Sequence, residues 1–161
     1  MRVKIFSKGF SLVEIMITIA IIALIAAASL GSISSIQRTS RDTQRTADLN
    51  SIKSALQQYF ANENHYPDSM TLTAGAALDD CTGLATPPCV VNRTYLKSTP
   101  KDPVGSAAYC YLALSNADPA TTTCTTAGQC YYYKLFAKLE NTTGTLSCGA
   151  VSTYSLQLTP L

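Results

Sequence analysis

Lys8-Gly9-Phe10-Ser11-Leu12-Val13-Glu14 opens a stretch that continues as IMITIAIIALIAAASL to Leu30. From Phe10 to Leu30 there are 21 residues and one charge, Glu14. About 20 apolar residues span a bilayer as a helix, so a membrane-spanning helix is expected. Two ordinary explanations fit less well. A secretory signal peptide has a shorter apolar core followed by a small-residue cleavage site. Ala26-Ala27-Ala28-Ser29 imitates that site, but the apolar run is long and Glu14 interrupts it. A plain anchor also avoids an acid, because a carboxylate mid-bilayer costs about 2.5–3.5 kcal/mol on insertion scales. Glu14 therefore asks for a partner.

Upstream of this stretch lie Arg2, Lys4 and Lys8. Positive flanks stay cytoplasmic, which places the rest of the chain across the membrane. Without those three, nine basic and ten acidic residues are left of the 12 and 10 in the whole chain. Such a balance offers no basic face for nucleic acid. Downstream, the helical pattern continues with no proline before Pro67. Ile33, Ile36, Ala47, Leu49, Ile52, Leu56, Tyr59 and Phe60 recur at spacings of three and four, one apolar stripe. Asp42–Arg45 attracts and Arg41–Arg45 repels, so local charge pairing is expected to add little. Asn62-Glu63-Asn64 and Pro67 end the helix. A helix from Phe10 to Ala61 is roughly 80 Å long at about 1.5 Å per residue. Its first half has only lipid or other copies of itself to pack on, and its stripe after about Ala47 is expected to cover the C-terminal domain.

These residues resemble the prepilin signature of type IV pilins and type II secretion pseudopilins: a basic leader, Lys8-Gly9, Phe10, a small polar residue, then Leu12-Val13-Glu14 and the apolar run. Residues 41–67, RDTQRTADLNSIKSALQQYFANENHYP, resemble the long helix of major pseudopilins, and YLKSTPKDPVG at 95–105 resembles the segment leading into their sheet. The resemblance implies cleavage between Gly9 and Phe10 by a prepilin peptidase, N-methylation of Phe10, and an assembly role for Glu14. It implies a bacterial inner-membrane precursor, an inner-membrane assembly platform as partner, and a helical homo-oligomeric filament as product. Gly31 stands where many pilins carry a kinking proline. Glycine keeps its amide hydrogen yet weakens a helix by about 1 kcal/mol relative to Ala, so a flexible point is expected there. The expected organisation is a leader at 1–9, a transmembrane assembly helix at 10–31, the outer half of the helix at 32–64, and a C-terminal domain at 65–161.

That domain is expected to be small and antiparallel, making the fold α+β. Residues 68–106 read as loop. Strands are expected over Ala107–Leu114, Gln129–Leu139 and Val151–Leu158, with Tyr131, Tyr133, Leu135, Ala137 and Leu139 on one face of the second. Cys81, Cys89, Cys110, Cys124, Cys130 and Cys148 all follow the apolar run. An even count beyond a membrane segment indicates disulfides in an oxidising compartment. The zinc alternative lacks a C-x-x-C pair and has one histidine, His65, to draw on. Six cysteines allow 15 pairings. Cys81–Cys89, Cys124–Cys130 and Cys110–Cys148 are the expected set, because the first two close short loops.

Other sites are weak. His65 sits at a helix end, where a turn role outweighs catalysis. Tyr131–Tyr133 alternate like core residues. Asn92-Arg93-Thr94 and Asn141-Thr142-Thr143 fit the glycosylation pattern, a short and unspecific one. No cofactor or metal is expected from the residues. The resemblance admits calcium in a C-terminal loop, but after Asp102 only Asp118 and Glu140 are acidic and calcium needs several oxygens. No catalytic constellation appears, so an enzyme is not expected. The expected function is a structural filament subunit, of a type II secretion pseudopilus or a type IV pilus. The alternative is a minor tip pilin acting as an adhesin or DNA-uptake module. The Asp-x-x-Arg helix and Pro100-Lys101-Asp102-Pro103 lean to a G-type pseudopilin, and the cysteine-rich loops to a surface pilin.

Overall fold

A computed structural model of the chain describes residues 9–29, 33–83, 89–105, 109–117, 123–126, 129–149 and 151–160. The expectations for residues 1–8 of the leader, for Gly31 and for Asp118 lie outside the described residues. The chain divides into two units, Met1–Gln37 and Arg38–Leu161.

In the first unit, α1 spans Leu12–Ser29. Its first turn closes with the amides of Glu14 and Ile15 donating to the Ser11 carbonyl, at 3.0 and 3.3 Å. Ile15, Met16, Ile17, Ile19, Ile21 and Ile22 are all exposed, so apolar side chains point out on every side. A helix apolar all round suits lipid or the centre of an assembly. Among the described residues, no helix is long and apolar enough to cross a membrane. The 18 residues of α1 rise about 27 Å, against about 30 Å of hydrocarbon.

The second helix, α2, spans Ile33–Glu63. It stops where Asn64 takes φ 60°, a left-handed C-cap conformation that asparagine tolerates. In the second unit, Arg45, Leu49, Ile52, Ala55, Leu56 and Tyr59 are its buried residues, at spacings of one to four that form one stripe. Ala47, expected on that stripe, is exposed. The residue that opens the buried face is Arg45.

That stripe lies against a three-stranded antiparallel sheet of β3 (Tyr109–Leu114), β4 (Tyr132–Ala137) and β7 (Leu156–Leu158), ordered β3-β4-β7. Tyr133, Leu135 and Ala137 of β4 join Leu49, Ile52, Leu56 and Tyr59 in the main core. Tyr131, expected to lead this face, lies before the strand and is exposed. The opposite face of the sheet has its own core of Phe136, Cys148 and Tyr154, with Cys110, Leu112 and Leu146 against it. A hairpin of β5 (Leu146–Cys148) and β6 (Val151–Tyr154) supplies that cover. The sheet is thus covered on both faces.

Two expectations need correction. Residues 68–106 are not all loop, because β1 (Leu78–Asp79) pairs antiparallel with β2 (Thr94–Leu96). Val151–Leu158 is not one strand. Ser155 interrupts it, its amide donating to the Ala137 carbonyl at 3.0 Å and its Oγ accepting from the Leu139 amide at 2.8 Å. Tyr154 therefore packs on one side of the sheet, while Leu156 and Leu158 pack on the other.

Candidate functional site

Gly9 and Phe10 precede α1 in non-helical backbone. Nothing lies within 4 Å of the place a Cβ on Gly9 would occupy, and Phe10 is 78 % exposed. A peptidase needs a reachable bond, and this junction is exposed. Glu14 sits in the first helical turn, where the partial positive charge of the helix end favours a carboxylate.

The strongest electrostatic feature lies in the second unit, around Arg45. Its Nε donates to Asp102 Oδ1 at 2.7 Å, and its Nη1 pairs with Asp42 Oδ1 at 3.1 Å and Glu140 Oε1 at 3.0 Å. Arg41 adds a two-point contact to Glu140, with Nε to Oε1 at 2.7 Å. Asp42 in turn accepts from the backbone amides of Glu140 and Asn141 at 2.8 and 3.0 Å. Asp102 Oδ2 accepts from the Val104 amide at 3.1 Å. The network ties two distant segments, around residues 102 and 140, to one face of α2.

The protonation equilibria follow this geometry. The hydrogen bond from Arg41, ahead of that from Arg45 and of both cations' charge, holds the Glu140 carboxyl down at about 2. Arg41 is raised mainly by the same bond. Burial works against the charged form of Arg45, but its bonds and charge contacts with Asp102 and Glu140 outweigh it, so its pKa is raised. Tyr109 is raised by burial and by donating its hydroxyl to Asp48 at 2.6 Å.

The local reading of charge pairing on α2 is corrected here. Arg45 finds its main partners far away in sequence, Asp102 being 57 residues on. One signal in the sequence pointed there: Arg45 stands four residues before Leu49 on the apolar stripe, and a charge on a core face requires a buried partner.

The six cysteines form three disulfides, Cys81–Cys89, Cys110–Cys148 and Cys124–Cys130. His65 Nδ1 lies 3.1 Å from the Tyr66 carbonyl, within a turn. Tyr133 stacks with Tyr111 and meets Tyr66 edge-on inside the core. Asn92 and Asn141 are exposed, with their amides donating to Val90 O and Thr39 Oγ1.

Among the described residues, the carboxylates considered for calcium are already engaged by cations. Glu140 is held by Arg41 and Arg45, and Asp102 by Arg45. Among the described residues, one group has metal-ligand proximity: Asp79, Asp80 and Cys81. The sulfur of Cys81 belongs to a disulfide and Asp79 already accepts from Cys81 N and Thr82 Oγ1.

Compared with known families, residues 6–30 match the prokaryotic N-terminal methylation motif, and residues 32–129 match type II secretion system (T2SS), protein G. No curated protein and no solved structure matches the chain.

Proposed function

The chain belongs to the type II secretion system protein G family, and from that premise we propose that it is the repeating structural subunit of a type II secretion pseudopilus, made as a precursor and cut between Gly9 and Phe10. The order of the two matched regions carries this reading: a methylation motif over 6–30 runs straight into the protein G region over 32–129.

On this reading the leader orients the precursor with its N-terminus cytoplasmic, and the second unit lies outside the inner membrane. Three disulfides suit that oxidising side. Prepilin peptidase releases the leader and methylates Phe10. The new cationic amine lies about one helical turn from Glu14. In low dielectric an unpaired charge is costly and a paired one much less so. Glu14 then serves as a register mark, satisfied by the amine of its own or a neighbouring copy when the stagger is right. The outward apolar surface of α1 moves from lipid to contact with other copies of α1. Such head-to-tail contacts do not close on themselves and generate a fibre.

Mass spectrometry of the mature chain from native filaments tests the processing. The expected N-terminus is methylated Phe10, with each of the six cysteines one hydrogen lighter; an intact Met1 would overturn the reading. The disulfides also favour a second reading, a surface type IV pilus. Loss of protein secretion on deleting the gene supports the pseudopilus. Normal secretion with loss of surface filaments supports the pilus. A tip adhesin would be scarce in the same filament preparation.

A further inference from the structure

Beside the Arg45 network, α2 and the segments around Val104 and Glu140 enclose a groove of about 840 Å³. Arg38, Arg41, Arg45 and Lys138 are the cations that line it, Glu140 is its carboxylate, and Pro103, Val104 and Leu139 give it an apolar wall. Val104 is 58 % exposed. Asp42, Asp102 and Glu140 are already engaged by Arg41 and Arg45. Among the described residues, Arg38 and Lys138 have no hydrogen-bonded or ion-paired partner. The groove therefore offers two unspent positive charges next to apolar surface.

The other end of the same unit has the complementary chemistry. Between Arg41 and Glu63 the helix rises about 33 Å. Around the last turns of α2, where Tyr59 donates to the Thr82 carbonyl at 3.4 Å, Asp68, Asp79 and Asp80 lie near one another. A Cβ on Gly83 would fall 2.5 Å from Asp68 Oδ1, and Asp79 accepts from Thr82 at 3.1 Å. Their hydrogen-bond donors are neutral: Ser69 for Asp68, Cys81 and Thr82 for Asp79, the Asn92 amide for Asp80. Burial first, and then the charges of Glu63, Asp68 and Asp80 nearby, push the Tyr59 phenol up to about 12. The Cys81–Cys89 disulfide holds Val90 and Val91 beside these carboxylates, and the two valines are 73 % and 50 % exposed. Arg93, the cation here, pairs with Glu63 at 3.3 Å, so this end is a net acidic plug tipped with apolar side chains.

We propose that the groove is a socket for a second copy of this chain, which enters with its Asp68–Asp80 end and its Val90–Val91 tip. The contact deepens the filament reading and rests on it. A plug at one end of the unit and a socket at the other make a heterologous joint that repeats without closing. Opposed charges set its register and reject a copy presented the wrong way round. The joint lies wholly between second units, and is separate from anything Phe10 and Glu14 do.

Zero-length carbodiimide cross-linking of native full-length filaments tests the joint directly. The expected product joins Lys138 to Asp68, Asp79 or Asp80. Within one chain these groups stand at opposite ends of α2, so that product forms only between copies. Charge reversal is the second arm. Arg38→Glu with Lys138→Glu, and separately Asp68→Lys, each lower filament yield at least about tenfold while all three disulfides still form. Combining Lys138→Glu with Asp68→Lys in one chain restores filaments, because positions 138 and 68 of successive copies then again carry opposite charges. Unchanged yield in the reversed variants, or failure of the combined variant to recover, overturns the proposal. A cross-link from Lys138 to a different protein would name that protein as the occupant instead. If the wild-type chain builds filaments while the reversed variants do so equally, only the joint is wrong. If the wild-type chain builds none, the filament reading fails with it.

Discussion

Arg45 stands where a purely apolar stripe would place a leucine, and it is 3 % exposed. A guanidinium is suited to that place because its planar fork meets several carboxylates at once. Arg45→Ala removes from Asp102, itself 6 % exposed, the guanidinium that it meets at 2.7 Å. The expected cost is about 3–5 kcal/mol, read as a lower midpoint in urea unfolding. Arg45→Lys keeps the charge but not the fork, and falls between. Glu140 adds a pH dependence whose sign is set by its depressed pKa. In the folded chain its carboxyl titrates at about 2 instead of near 4.5. Its contribution is therefore complete above about pH 4.5 and is lost as the pH falls toward about 2. Glu140→Gln should flatten that acid limb in a melting-temperature profile. At this scale the sequence was legible where a motif is contiguous, as in the methylation motif over residues 6–30. It was opaque where partners come from separate segments: nothing near Asp102 or Glu140 names Arg45.

At the scale of elements, periodicity did most of the reading. The stripe of α2 follows from spacings of three and four, and β3 and β4 follow from alternation over six residues each. The errors have one physical origin. β1, β2 and β5 are two or three residues long, too short to show alternation. Val151–Leu158 does alternate, but a single residue, Ser155, passes the chain from the β5–β6 hairpin to the edge of β4. The disulfides tie these short elements down unequally. Cys110–Cys148 closes a separation of 38 residues, and Cys124–Cys130 one of 6. Loop-closure entropy then gives about 4 and about 2 kcal/mol at 25 °C. Replacing Cys110 and Cys148 with Ala should lower the unfolding free energy by about twice as much as replacing Cys124 and Cys130, as denaturant titration of the two double variants would show.

Over the whole molecule, the chain divides into two units. Glu14 belongs to the first and Arg45 to the second. Glu14→Ala is therefore expected to abolish filaments, counted by electron microscopy, while the urea midpoint of the second unit stays where it was. A shifted midpoint would mean that the units are not independent. The cysteine pattern carries a last consequence, for biogenesis. Numbered in order, the pairs are first with second, third with sixth, and fourth with fifth. An oxidase joining thiols as they emerge from a translocation channel makes the first bond correctly, then joins Cys110 to Cys124. Only exchange through a mixed disulfide brings Cys148, the last to arrive, to its partner. On such an export route, maturation is expected to need an isomerase as well as an oxidant. In cells without one, peptide mapping of the exported chain should find the Cys110–Cys124 bond in place of Cys110–Cys148.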